Sequence, residues 1–344
     1  MRQGHGRRRV AVNESFAMQR VTGQQRYATE VAKRLVDLDG FQAARPGGFW
    51  AASAIRTWLW VTAVLPLAER SSVVLSMTAR APVWQRRHVL VVHDLFVLTN
   101  PEWFSKRYYW THAPLLRFQL RTAAALVAVS QPVADDLAAS YQALVRVAPN
   151  APSEVFRCAD AGGGDTERAL ADRGLVAGSY FLTVGSMDPR KNLPLLARAY
   201  AGLSEDERRA HPLVVVGGGS AVFRSEDIAW PAEVLDAGYV TDDELRQLYR
   251  GARAVVFVSK AEGFGLPLVE AAAAGTACLV ISDIPVFRWV CGDGAHYVDP
   301  ADESSIRAGL RAALEAQQPP QVDLSRFDWD TTAAVVRNVC SALA

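Results

Sequence analysis

The sequence predicts an α/β protein of two doubly wound domains. Short β-branched runs alternate with helical patterns along most of the 344 residues. Those runs are apolar throughout rather than alternating in polarity, which marks parallel strands covered on both faces. Half of the residues are apolar, more than one ordinary core can use, so two domains of roughly 150 residues each are expected.

The elements follow in order. "RRVAVN" reads as a strand and "TGQQRYATEVAKRLVDL" as the helix after it. "HVLVVHD" and "ALVAVS" are strands, and "QPVADDLAASY" is a helix with Pro132 near its start. "RVAPN" is a short strand. "CADAGGGDTE", with its run Gly162–Gly164, has linker composition and places a hinge near residues 151–172. The alternation then restarts. "YFLTVGS" is a strand and "NLPLLARAYAGL" a helix, and "PLVVVGGG", "ARAVVFVS" and "ACLVIS" are three more strands. Two such domains facing each other make a cleft, and ligands of doubly wound sheets bind beyond the carboxyl ends of the strands.

Composition excludes several classes. The net charge of 37 − 36 = +1 argues against a nucleic-acid partner, and the short cluster Arg7–Arg9 does not change that. Cys158, Cys278, Cys291 and Cys340 have neither metal nor redox spacing, as expected of reduced thiols in a cytoplasmic protein. No apolar leader opens the sequence, so no signal peptide is expected. The segment from Phe49, "FWAASAIRTWLWVTAVLPLA", has about the length of a membrane span but contains Arg56 and Pro66. A buried or surface-docked helix is the favoured reading; a peripheral membrane contact through its tryptophans stays open.

Chemistry concentrates in two strand–loop–helix junctions. In "SKAEGFGLPLVEAAAAG", Pro267 suits the first turn of a helix that Gly275 closes. The preceding loop therefore leads into a helix N-terminus, where free N–H groups and the dipole favour an anion. Gly263 and Gly265 permit close backbone approach. Glu270, placed in the first turn, suits the paired hydroxyls of a ribose, and Glu262 suits sugar hydroxyls; alternatively, Glu270 only complements the dipole and Glu262 is a solvated loop residue. In "VGSMDPRKNL", Arg190 and Lys191 end the loop and Asn192 is placed to cap the next helix. A planar fork beside a point charge suits a diphosphate; two ordinary surface cations are the other reading.

Together these residues resemble the family 4 retaining glycosyltransferases, whose GT-B fold has two facing Rossmann-like domains. The resemblance covers nearly the whole chain. "EGFGLPLVE" is similar to the family's E-x7-E motif, "GSMDPRKNL" with Gly185 to its diphosphate loop, and "VTGQQRYATEV" to its N-terminal glycine loop. "VVHDLFVLTNPEWFS" resembles its His-Asp segment, and "GYVTDDELRQLYRGARAVVFVS" its base-binding region. The resemblance implies roles by position. Arg190 and Lys191 would bind the diphosphate and stabilise it as leaving group. Glu270 would hold the ribose. Glu262 would face the transferred sugar, with the N–H groups of Phe264, Gly265 and Leu266 near sugar or phosphate. Gly23 would let the first loop approach donor or acceptor. His93 would sit near the sugar, and Tyr239 and Val240 beside the base. Asp94 reads as structural. A His at the end of an apolar strand is otherwise a satisfied core imidazole. Departures from the family pattern are Gln24-Gln25, Ala261 and Ala151.

The implied domains are 1–158, joined by 327–344 crossing back through Phe327 and Trp329, and 170–326. The implied reaction is retaining transfer of a hexose, without a metal, from a nucleotide diphosphate sugar to a glycan on a lipid carrier. GDP-mannose is favoured, with dTDP-rhamnose or a UDP-hexose behind it. The expected place is the cytoplasm, at the inner face of the membrane. Two other readings are a sugar-nucleotide-binding scaffold without activity and a nucleotide-sugar epimerase of the same fold. A dehydrogenase is disfavoured because "VVVGGGSAVF" lacks the Gly-x-Gly-x-x-Gly spacing.

Overall fold

The computed structural model describes residues 9–18, 22–158, 164–218, 228–316 and 319–344. They form two compact units: residues 1–99, 107–150 and 327–344 group in the first, and 100–106 and 151–326 in the second. Each unit is built on a six-stranded, wholly parallel sheet, the GT-B architecture.

The first sheet holds β1 (Val10–Asn13), β2 (Phe41–Ala44), β3 (Val73–Ser76), β4 (His88–Val92), β5 (Ala125–Ala128) and β6 (Leu144–Val147), in the order β2-β1-β3-β4-β5-β6. Its central strands are buried along their whole length, whereas the edge strand β6 shows exposed positions. That is why the central strands carry unbroken apolar runs. The chain reverses its direction across the sheet between β1 and β3. There the Asn13 amide donates to Ser76 Oγ at 3.3 Å and to the Arg80 carbonyl at 2.9 Å, stitching the two strand ends together.

The Trp329–Leu343 helix completes this unit. Trp329 is buried and meets the ring of Tyr27 edge-on at 5.8 Å. Phe327 is wholly buried, Thr332 Oγ1 donates to the Pro149 carbonyl at 2.6 Å, and Asp330 pairs with Arg34.

The second sheet holds β7 (Phe181–Val184), β8 (Leu213–Val216), β9 (Val234–Gly238), β10 (Ala254–Phe257), β11 (Leu279–Ser282) and β12 (His296–Val298), in the order β12-β11-β10-β7-β8-β9. From β7 the chain builds outward through β8 and β9, then returns to β10 and builds the other way. The switch point therefore lies between β7 and β10, and the crevice at their carboxyl ends is where such a sheet receives a ligand. Residues 151–158 belong to this unit rather than to the first, because Phe156 is buried against Tyr249, with ring centroids 5.9 Å apart. Most of the expected glycine linker lies outside the described residues.

Segment 49–68 is a surface-docked helical run. Ala54–Leu59 is α-helical, Trp60–Val64 forms a π turn, and Leu65–Ala68 ends the run. Trp60, Val61 and Leu65 are buried against Ala11 and Val74, while Ile55, Leu59 and Leu67 face outward. Among the described residues no helix is long and apolar enough to cross a membrane.

Candidate active site

The two junctions singled out in the sequence flank the switch point of the second sheet. After β7, Pro189–Lys191 form a single 3-10 turn that Asp188 caps by accepting from the Arg190 N–H at 3.1 Å. After β10, residues 258–265 lead into the Leu266–Ala274 helix. The loops are joined by their backbones, because the Lys260 N–H donates to the Arg190 carbonyl at 2.8 Å. They are joined again by charge. Lys191 Nζ donates to Glu262 Oε1 at 2.7 Å, the Arg190 guanidinium pairs with Glu262 Oε2, and Ser259 Oγ donates to Glu262 Oε1 at 3.0 Å. One carboxylate thus gathers both cations.

These side chains are nearly buried: 15% of Arg190, 11% of Lys191 and 9% of Glu262 is exposed. Burial alone would raise the Glu262 carboxyl, but the charges of Arg190 and Lys191, with hydrogen bonds from Lys191 and Ser259, outweigh it and hold the group at about 2. Glu262 is therefore an anion at neutral pH. Arg190 also leans on Asp188, which is itself buried and accepts from Ser186 Oγ at 2.6 Å. The turn thus presents two cations whose present counter-ion is a side chain that an incoming anion can replace.

Glycines bring the strand ends close. Gly217 has φ +134°, and a Cβ there would lie 1.9 Å from the Gly185 carbonyl oxygen; a Cβ on Gly218 would lie 2.6 Å from the Tyr239 ring. Gly185 has φ +150° and lies against the Lys191 stem. Gly265 caps the Leu266–Ala274 helix at φ +92°, where a Cβ would meet Phe287 at 2.9 Å. Phe264 is buried edge-on to Trp289. Gly263 is buried and Leu266 half-buried. Tyr239 is 62% exposed and Val240 half-buried, just past β9.

Two expectations need correction. Glu270 is the fifth residue of its helix, in the second turn, and it is buried; a dipole partner for the first turn it is not. Asn192 begins the Leu193–Ala201 helix but does not cap it with its side chain. It takes the left-handed conformation, φ 60°, and its amide donates to the carbonyls of Val258 (3.0 Å) and Pro300 (2.7 Å). It ties the β7 loop to the chain that leaves β10 and to the chain that leaves β12. A Cβ at Gly23 would meet no protein atom within 4 Å. Beside it Gln25, a departure from the family pattern, is buried and accepts from the Thr22 N–H at 3.2 Å, closing the helix start.

In the first unit, His93 follows β4. Its Nε2 lies 3.0 Å from the Met77 carbonyl, and its ring stands edge-on to Tyr27 at 5.2 Å. Burial pushes its imidazole down, so it is neutral at pH 7. The hydrogen bond to the Met77 carbonyl opposes that burial, so the drop is smaller than for His88, which lacks such a bond and is held at about 3. The Phe96 N–H donates to Asp94 Oδ1 at 3.2 Å, a local turn contact. A separate concavity of about 750 Å³ lies by Arg253, Ala277 and Leu314, at the other end of the second sheet. Arg253 there donates to the carbonyls of Leu314 and Ala316, so the chemistry is assigned to the switch point instead.

Sequence reasoning missed Asp188, Ser259, Gly217 and the true role of Asn192. Asp188 stood within the quoted loop. Gly217 stood in the "VVVGGGS" run, which was weighed only as a dinucleotide turn.

In a parallel doubly wound sheet, the switch point that holds these two cations and the buried carboxylate is where a ligand is received. Residues 175–326 match the family model described as "Glycosyl transferases group 1". That stretch of the chain is similar to the family's model. It is 27% identical over 263 residues to "O-antigen chain mannosyltransferase RfbU" of Salmonella typhimurium (strain LT2), covering 74% of this chain and 69% of that protein. It is 30% identical over 181 residues to "O-antigen chain mannosyltransferase B" of Escherichia coli, a match spanning 48% of this chain but only 46% of the relative's length. Among solved structures, Anabaena Alr3699/HepE in complex with UDP and glucose superposes with a TM-score of 0.71 at 15% identity, covering 97% of this chain and 100% of that one. WaaG, described as a glycosyltransferase involved in lipopolysaccharide biosynthesis, gives 0.66 at 16%, covering 96% and 95%. These likenesses establish the fold.

Proposed function

We propose that this protein is a retaining glycosyltransferase that moves mannose from GDP-mannose to a hydroxyl of a growing glycan in bacterial surface polysaccharide synthesis. The observation that carries the reading is the Arg190–Lys191 pair, gathered by Glu262 at the switch point of the second sheet. The names of the mannosyltransferase relatives support the sugar.

In this reading the donor diphosphate takes the place of the Glu262 carboxylate at the two cations. The bond from the anomeric carbon to the β-phosphate oxygen breaks and its electron pair leaves with the phosphate. Arg190 and Lys191 stabilise the charge that builds there, so no divalent ion is required. Glu262, released from the cations, accepts hydrogen bonds from the sugar hydroxyls, and Glu270 holds the ribose. Gly263, Phe264, Gly265 and Leu266 line the sugar and phosphates, and Tyr239 and Val240 flank the base. The acceptor hydroxyl attacks the face from which the phosphate leaves. Its proton passes to the departing phosphate, and configuration is retained. The acceptor is carried on a lipid, and the enzyme works in the cytoplasm at the inner membrane face.

The test is a thermal-shift screen against GDP, UDP, dTDP and ADP, with the Arg190→Ala/Lys191→Ala variant beside it. A ligand of the native state raises the melting temperature by mass action. The expected result is a shift with GDP that the variant loses. A shift with UDP instead would reassign the donor to a UDP-hexose, in line with the UDP bound to HepE. No shift with any nucleotide would refute the site.

A further inference from the structure

We infer that Asn192 is a positioning residue of the anion site: its amide fixes where the Arg190–Lys191 pair stands relative to Glu262. The inference rests on the proposed reading of those cations as the diphosphate site, and it adds the residue that sets their place.

Among the described residues, Asn192 is the one non-glycine residue with a positive φ, at 60°. That conformation is unfavourable for an L-residue and persists where the surroundings enforce it, most often at a functional site. Here the surroundings enforce it from every side. The residue is buried. Its N–H donates to the Pro189 carbonyl at 3.3 Å, and its carbonyl accepts from the N–H groups of Leu195 and Leu196 at 3.1 and 3.2 Å. One residue thus ends the Pro189–Lys191 turn and starts the Leu193–Ala201 helix. A helix start would ask the side chain to cap, and this one does not. The amide instead spends both of its N–H donors on the carbonyls of Val258 and Pro300, at 3.0 and 2.7 Å. Two carbonyl partners demand a double donor, so a carboxylate of the same shape would face only oxygens.

The contacts close a ring around this amide. Lys191 adjoins Asn192 in the chain, and its Nζ reaches Glu262 Oε1 at 2.7 Å. Ser259 adjoins Val258, and its hydroxyl donates to the same oxygen at 3.0 Å. Val258 then returns to Asn192 through the amide. The bond from the Lys260 N–H to the Arg190 carbonyl, at 2.8 Å, spans the ring. Asn192 therefore ties the two loops at their base, one residue from each. Pro300, just past β12, gives that tie an anchor outside both loops. Charged groups act on a ligand only while their own supports hold them in place, and this amide supports both cations.

The experiment is calorimetric titration of the purified full chain with GDP and with UDP, beside thermal melts without nucleotide. Asn192→Gly keeps the positive φ accessible and removes both bonds. It should bind the nucleotide about 10-fold more weakly. Asn192→Asp keeps the size, turns donors into acceptors, and should bind more weakly still. Tyr180→Phe serves as the stability control, because it loses a buried bond to the Leu248 carbonyl at the amino end of β7. It should lower Tm and leave nucleotide affinity unchanged. An Asn192→Gly protein that melts lower but binds as the wild type does makes Asn192 a brace of the fold alone, and overturns the inference. If the wild type binds neither nucleotide, the donor reading is what fails, and the melts decide the role of Asn192. Glu262→Gln should then lower Tm about half as much in the Asn192→Gly background as in the wild type, because displaced cations have less to lose. Strictly additive effects of the two substitutions would overturn the positioning role.

Discussion

Replacing Glu262 by glutamine keeps the shape of the side chain and removes its charge. Arg190 and Lys191 are then left nearly buried, with only Asp188 beside the arginine. Holding the carboxyl at about 2 rather than 4.5 corresponds to roughly 3 kcal/mol, at about 1.4 kcal/mol per pH unit. Breaking a buried ion pair by removing one partner costs about 3–5 kcal/mol, and the remaining Asp188 sets the expectation at the lower end. For a unit of this size, about 3 kcal/mol lowers Tm by roughly 6–12 °C. Because the folded carboxyl lies below its unfolded value, its contribution is complete above about pH 4.5 and is lost as pH falls toward about 2. Wild type and Glu262→Gln should therefore differ fully at pH 7 and converge in acid. Saturating GDP should shrink the difference at pH 7, since the diphosphate supplies the missing anion. Thermal melts of both proteins, at pH 7 and in acid, with and without GDP, decide the matter. A drop under about 2 °C, or one that GDP leaves untouched, would refute the claim that Glu262 is the resident counter-ion of this anion site.

Two further predictions follow from packing. Gly217→Ala forces a Cβ onto the Gly185 carbonyl at a φ of +134°; it should cost more than about 2 kcal/mol in urea denaturation and abolish the nucleotide-induced shift, whereas Gly23→Ala, with nothing within 4 Å, should change stability by less than about 1 kcal/mol. Trp329→Ala removes a buried ring from the contact with Tyr27 and should destabilise the first unit by about 3–5 kcal/mol, read as an earlier first transition in urea.

Where a strand is buried on both faces, its own residues announce it. "HVLVV", "ALVA", "FLTV", "LVVV", "AVVF" and "LVIS" were legible for that reason, and so were the helix ends marked by Pro132, Pro267 and Gly275. Phe41–Ala44, Val234–Gly238 and His296–Val298 were not. All three end their sheets and have exposed positions, so their patterns are mixed. The central strand Val73–Ser76 was also missed.

The two loops and their charges were on the page as sequence, but their mutual placement was not. Lys191 and Glu262 are 71 residues apart, and no local pattern says which strand lies beside β7. Strand order decides it. Because β10 returns to pair with β7 rather than continuing from β9, the carboxylate of one loop lands on the cations of the other. The same return sends the Val258 carbonyl to Asn192, the end of β12 adds that of Pro300, and an expected helix cap becomes a cross-link. The sequence by itself determined which residues carry charge at the ends of strands. The tertiary structure alone decided that they neutralise one another, because pairing in a sheet is set by burial summed over the whole unit and not by neighbours along the chain.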